Sequence, residues 1–266
     1  MADQCNISRG RPKRSGAVKH TTESLRRMKS VTRIPMLTAY TAPVARCLEQ
    51  AGIPVILVGD SVGMVEMGFD STRQVTIEHM QYHVGAVRRG ARETHIVGDL
   101  PYGCDDDPAT ALRSARLLVG AGADSVKLEG PKYDVIRHLV ANGIDVMGHT
   151  GLTPQTATSF RQVGRDSADS ERVQNEAIGI AAAGAYMIVL EHIPEALGAA
   201  ITGAVPVPTI GIGAGRACDG QVLVINDALG LSERLPPFAR RYADLGKTIV
   251  DAAQAFASQV RDSSFR

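Results

Sequence analysis

At 266 residues, 44% of them hydrophobic, the chain can bury a large core, and α/β barrels of this length are often single domains. Its 29 basic and 28 acidic side chains leave a formal net charge of +1, which argues against a general nucleic-acid or membrane-surface role. No run approaches the roughly 18 apolar residues of a membrane span, and the N-terminus lacks the apolar region of a secretory signal.

The basic charge is uneven: Arg9, Arg11, Lys13, Arg14, Lys19, Arg26, Arg27, Lys29 and Arg33 crowd the start. The run SRGRPKRSG has no apolar residue and reads as a flexible basic arm, so residues 1–20 are set apart from one domain spanning 21–266. Cys5, Cys47, Cys104 and Cys218 are scattered, with no CxxC pair and no metal spacing. Free thiols in a cytoplasmic chain are the simplest reading.

From about residue 34, short apolar runs alternate with segments of helical period, which predicts βα units and a parallel sheet. The predicted strands are 35–40, 55–60, 95–100, 125–130, 145–150, 186–192, 207–215 and 221–227. Between them, IEHMQYHVGAVRRGA, PATALRSARLLVGAGA, KYDVIRHLVANGI and SERVQNEAIGIAAAGA are amphipathic. Ala51-Gly52, Ala121-Gly122, Asn142-Gly143 and Ala183-Gly184 read as helix stops before the next strand. Eight such units predict a (β/α)8 TIM barrel, with an open doubly wound sheet as the alternative. Beyond Pro236-Pro237, one or two closing helices are expected.

The polar residues at the strand ends carry the chemistry. Strand two ends in Asp60-Ser61, strand three in Asp99, strand five in His149 and strand six in Glu191. Strand four carries Lys127 and Glu129, two apart and so on one face. One Asp or Ser here could simply cap a helix. Charged groups at so many strand ends are harder to explain that way, because Lys and Glu cap poorly and are costly to bury alone. Asp60, Asp99 and Glu129 are hard oxygen donors suited to Mg²⁺, and no His or Cys cluster favours zinc. A 2-oxo acid could chelate such an ion. Lys127 would stabilise an enolate oxygen, Glu191 would take the proton alpha to the ketone, and His149 would hydrogen-bond a substrate oxygen.

Other signals read as structural. Asp105-Asp106-Asp107 precedes Pro108 and predicts a helix cap. The run GIGAG (211–215) fails the dinucleotide pattern because Arg216 follows, and it predicts close backbone packing. His79 and His138 are expected on helix surfaces, and Tyr82, Tyr186 and Tyr242 are expected to pack.

The runs LVGDSVGM (57–64), VGDLPY (97–102), VKLEG (126–130), GHTGLTPQ (148–155), VLEHIP (189–194) and GIGAGRACDGQVLV (211–224) resemble the ketopantoate hydroxymethyltransferase family, in order from about Met36 to Tyr242. The resemblance implies a barrel of the phosphoenolpyruvate mutase/isocitrate lyase type. It implies Mg²⁺, and hydroxymethyl transfer from 5,10-methylenetetrahydrofolate to 3-methyl-2-oxobutanoate, giving 2-dehydropantoate for pantothenate and coenzyme A synthesis. It also implies a homo-oligomer, typically a decamer. By the same resemblance Asp60, Asp99 and Glu129 match metal-associated carboxylates. Asp60, Ser61, Asp99 and Lys127 match substrate-binding residues, His149 matches a pocket histidine and Glu191 matches the proton acceptor.

This chain departs from the family pattern at Thr41, where an Asp is usual, at Gln74, through 158–165, and in its tail. These changes bear on the 2-oxo acid side chain accepted and on folate handling. Two alternatives follow: a related Mg²⁺-dependent 2-oxo acid lyase or aldolase using another electrophile, or a non-catalytic metabolite-binding paralogue.

Overall fold

The computed structural model describes residues 19–265. Residues 1–18 of the predicted basic arm lie outside the described residues, whereas Lys19 and His20 lie against the barrel, Lys19 paired with Asp124.

Eight parallel strands close on themselves: β1 (Ile34–Thr38), β2 (Val55–Val58), β3 (His95–Asp99), β4 (Ser125–Lys127), β5 (Val146–Gly151), β6 (Met187–Glu191), β7 (Thr209–Ile212) and β8 (Gly220–Leu223). Closure is direct, because β1 pairs with β2 (Met36 opposite Val55) and with β8 (Ile34 opposite Gly220). The open-sheet alternative is therefore excluded.

The helices are α1 (Thr22–Arg26), α2 (Ala42–Gln50), α3 (Val62–Val65), α4 (Ile77–Gly90), α5 (Pro108–Ala121), α6 (Tyr133–Ala141), α7 (Ser167–Ala182), α8 (Glu195–Ala204), α9 (Ile225–Leu229) and α10 (Leu245–Arg261), with a 3-10 turn at Thr72–Gln74. Their starts follow capping chemistry. Asp107 caps α5 by accepting from Ala109 and Thr110 N–H, each at 2.9 Å, as the Asp-Pro sequence predicts. Thr76 and His79 form a reciprocal box at the start of α4. The four predicted glycine stops all have positive φ.

Side-chain alternation divides the core in two. Ile56, Val58, Ile96, Val126, Val146 and Ile188 point outward and pack under the helices. Met36, Val55, Leu57, Val97, Met147, Met187, Val189, Ile210 and Val222 fill the barrel. The same period of two that buries Val97 inside sends Asp99 inside, one pleat higher. Likewise Ser125, Lys127 and Glu129 share one face, as do Met147 with His149 and Val189 with Glu191.

Several predicted elements are corrected. Strand one stops at Thr38 rather than residue 40; the Thr38 hydroxyl accepts from Ile225 N–H at 2.9 Å, beyond the end of β8. Strand eight ends at Leu223 rather than 227. Its last residues wind into α9, where the Asn226 amide reaches Val65 O and Glu66. The run 207–215 yields only β7, because Gly213 (φ 64°) and Gly215 (φ 80°) leave the strand and pack against Phe238 and Glu195. Tyr186 is buried, but Tyr82 and Tyr242 are 70% and 71% exposed and do not pack as predicted, since each sits on an outward face. After Pro237 one long helix forms, α10, and none of its residues is buried. No helix among the described residues is long and apolar enough to cross a membrane.

Candidate active site

All seven residues singled out at the strand ends meet at the C-terminal rim of the barrel. Lys127 Nζ donates to both oxygens of Asp99, at 2.8 and 2.9 Å, and lies 3.8 Å from Glu129 Oε1. The backbone N–H of Asp60 donates to Asp99 Oδ2 at 3.2 Å. His149 stands between two carboxylates, with Nδ1 3.5 Å from Glu129 and Nε2 3.3 Å from Glu191. Neither ring nitrogen makes a well-aligned hydrogen bond. Tyr40 and Ser61 share a hydrogen bond of 2.8 Å beside Asp60. Asp60, Asp99, Lys127, Glu129 and His149 are buried, while the Glu191 side chain keeps 17% exposure.

Neither Asp60 nor Ser61 caps α3 with its side chain. Ser61 precedes α3, but its side chain makes no cap hydrogen bond and turns to Tyr40 instead. The Asp60 carboxylate accepts from the Gln155 amide at 2.8 Å.

Charge is out of balance at this rim. Asp99 and Glu129 lie 2.8 and 3.8 Å from the Lys127 ammonium, and a third buried carboxyl, Asp60, adjoins Asp99 through its backbone N–H. Burial, with Asp99 and Glu129 nearby, holds the Asp60 carboxyl well above the usual range. Burial also raises Asp99, against the pull of Lys127. Burial opposes the charge on Lys127, but the three carboxylates outweigh it and its pKa rises. Burial likewise disfavours the His149 imidazolium, yet the facing carboxylates of Glu129 and Glu191 push its pKa up to about 9. Glu129 runs the other way: burial opposes its charge, and the facing His149 outweighs that and lowers its pKa.

Such a donor set fits a hard divalent cation. Among the described residues no three His, Cys, Asp or Glu side chains form a ready-made metal cage. Mg²⁺ does not ask for one, because it commonly takes one or two carboxylates and fills its octahedron with water and substrate oxygens. The surplus of buried carboxylate over ammonium is what a cation would relieve.

Residue types alone do not single out Gln155 or Arg73, and they assign Asp105 to a helix cap that it does not form. Gln155, 2% exposed, donates its backbone N–H to Glu129 Oε2 at 3.1 Å as well as its amide to Asp60. Arg73 donates to the Gln155 carbonyl at 2.6 Å. Asp105, fully buried, lies 2.6 Å from Lys132 Nζ and ties the loop after β3 to the loop after β4, so only Asp107 of that acidic triplet is the cap. Gln155 was within reach as the last residue of GHTGLTPQ, but an uncharged amide in a turn carries no chemical signal of its own.

A family model described as ketopantoate hydroxymethyltransferase matches residues 19–266. The chain belongs to the ketopantoate hydroxymethyltransferase family. A 3-methyl-2-oxobutanoate hydroxymethyltransferase from Acaryochloris marina is 47% identical over 254 residues, covering 92% of this chain and 98% of that protein. One of the same name from Pyrobaculum calidifontis is 42% identical, over 95% of this chain and 96% of its own. Among solved structures, 2,3-dimethylmalate lyase, a member of the phosphoenolpyruvate mutase/isocitrate lyase superfamily, superposes with a TM-score of 0.59 at 16% identity, covering 91% of this chain and 88% of that chain. That likeness shows the fold, a closed parallel barrel. Family membership makes the chain a hydroxymethyl-transferring enzyme.

Proposed function

We propose that this enzyme carries out Mg²⁺-dependent transfer of a hydroxymethyl group from 5,10-methylenetetrahydrofolate to 3-methyl-2-oxobutanoate, giving 2-dehydropantoate for pantothenate and coenzyme A synthesis in the cytoplasm. The observation that carries this reading is the separation of two carboxylate sets. Asp99 and Glu129 flank Lys127 and Asp60 adjoins Asp99 through its backbone N–H, while Glu191 stands apart beyond His149 and alone keeps access to solvent. One set suits a cation and an anionic substrate. The other suits a base.

When bound, Mg²⁺ would supply a Lewis acid that favours the enolate of the 2-oxo acid. Asp60, Asp99 and Glu129 would hold it. Lys127, kept cationic by its neighbours, faces the developing oxyanion. Ser61 with Asp60 and Asp99 would orient the substrate carboxylate and ketone. Glu191 would take the C3 proton, with His149 holding its carboxylate in place. Water would release the one-carbon unit from the folate at the aldehyde level, freeing tetrahydrofolate; the C3 carbanion equivalent would bond to that carbon, and Glu191 would return its proton to the new hydroxyl oxygen.

Helix α10 supports a homo-oligomer, with the decamer of the family as the expected size. It leaves Ile249, Val250, Phe256 and Val260 each more than half exposed, a face that a partner copy would cover. Sedimentation of a single 28.2 kDa species would overturn this part of the reading.

Proton NMR of 3-methyl-2-oxobutanoate in D₂O tests the chemistry. Loss of the C3 proton signal with protein and Mg²⁺, abolished by EDTA, is expected, and 2-dehydropantoate should form once methylenetetrahydrofolate is added. Exchange without transfer would point to a lyase or aldolase with another electrophile. No exchange even with folate present would overturn the proposal and favour a non-catalytic binding role.

A further inference from the structure

We propose that Gln155 is the positioning residue for the Asp60 and Glu129 carboxylates, and that Arg73 clasps it in place. The inference rests on the metal reading above and adds two residues to it.

Asp60 follows β2 and Glu129 follows β4, so nothing within either element fixes the two carboxyl groups relative to each other. Gln155, in the turn after β5, touches both. Its amide nitrogen donates to Asp60 Oδ2 at 2.8 Å and its backbone N–H donates to Glu129 Oε2 at 3.1 Å. The same amide nitrogen donates to Leu100 O at 3.0 Å, so both amide hydrogens are used and the side chain cannot swing. One oxygen of each carboxylate is thereby pinned, and the other is presented in a set direction. Glu129 Oε1, the oxygen Gln155 leaves alone, is the one facing Lys127 and His149.

The residue type matters. An amide supplies two donors and no charge, in a cluster already crowded with buried carboxylates. Glu at this position would add to the repulsion, and an apolar side chain would leave a buried Asp60 oxygen without its partner. Hydrogen bonds to the far side of ligating carboxylates commonly set metal affinity by 10–100-fold.

Arg73 completes the device from outside. Its Nε donates to the Gln155 carbonyl at 2.6 Å, and its guanidinium lies over the Tyr102 ring, 5.3 Å from the centroid. The loops after β2, β3, β4 and β5 are thus joined at one glutamine. Arg73 itself is exposed, so it can be changed without opening the core.

Mn²⁺ serves as the probe, titrated by electron paramagnetic resonance against wild-type protein, Gln155→Met and Arg73→Met, alongside metal-free melting temperatures. Gln155→Met keeps the volume and loses the donors; we expect Mn²⁺ affinity to fall about tenfold or more while the fold is retained. Arg73→Met should weaken it by about threefold. Unchanged Mn²⁺ affinity in Gln155→Met, with or without a lower melting temperature, would overturn the proposal by showing a loop strut only. Should Gln155→Met fail to fold, Arg73→Met decides, and unchanged affinity there overturns the proposal. A wild-type protein that binds no Mn²⁺ would overturn the metal reading itself, a result distinguishable from the other two.

Discussion

The two ends of the barrel are both polar and both buried, yet they are built on opposite principles. At the N-terminal floor each charge is matched. Asp124 pairs with Arg88 and Lys19 and accepts from Ile96 N–H at 2.9 Å. Asp219 pairs with Lys29 at 2.9 Å and accepts from Ser30 and Thr209 N–H. His95, Ser125 and Tyr186 form a closed neutral network, with His95 Nδ1 meeting the carbonyl of His20. At the C-terminal rim Asp99 and Glu129 share the Lys127 ammonium, Asp60 forms no ion pair with it, and His149 has two carboxylates beside it and a well-aligned bond to neither. The floor's charges are balanced among its own side chains and backbone; the rim's are not. In barrels of this kind the C-terminal rim is where catalytic groups gather and the opposite end serves stability.

Substitutions at the two ends should therefore behave oppositely. The largest effect is expected for Glu191→Gln, which keeps the shape and removes the proposed base. Deuterium exchange at C3 should fall 100-fold or more, with the melting temperature unchanged. Exchange at near wild-type rate would remove Glu191 from that role.

At the floor, Asp124→Ala leaves Arg88, Lys19 and Ile96 N–H without their partner. A loss of about 2 kcal/mol is expected, seen as a melting temperature lower by roughly 4–8 °C, while turnover per folded molecule is kept. Impaired turnover with stability kept would break the comparison.

Asp60→Asn sharpens the contrast. Burial and like charge raise the Asp60 carboxyl, so its charge works against the metal-free fold. The neutral amide should raise the metal-free melting temperature by about 2 °C while weakening Mg²⁺ binding, a gain in stability at the expense of function. A lower melting temperature would show that the charge is already compensated.

The smallest effect concerns pH. Burial lowers the His95 pKa below its usual value, because the ring is held neutral at the floor. Between that lowered value and the unfolded value near 6.5, the unfolded chain binds the extra proton. Stability is thus present above about pH 6.5 and lost as pH falls through the window, by at most about 1.4 kcal/mol per pH unit. Urea unfolding at pH 7 and pH 5 should show this slope, and His95→Gln should flatten it. An unchanged slope in the variant would assign the acid loss to other groups.

Much of the architecture is legible in the chain because its rules are local. A period of two puts Lys127 and Glu129 on one face and lifts Asp99 one pleat above Val97, so the barrel and its charged rim follow from counting. Strand ends were harder to read. There Thr38 meets Ile225 across 187 residues, and the chain after Leu223 winds into α9. The positioning groups were invisible for the same cause. Gln155 lies 95 residues from Asp60 and 82 from Arg73, and its importance comes from the loops that meet there rather than from its own chemistry. By itself the sequence determined the βα repeat, the inward faces and the residue types delivered to the rim. Only the tertiary structure decided how the ring closes, which carboxylates are held apart or together, and which neutral side chain joins them, because those depend on contacts between segments that no local period connects.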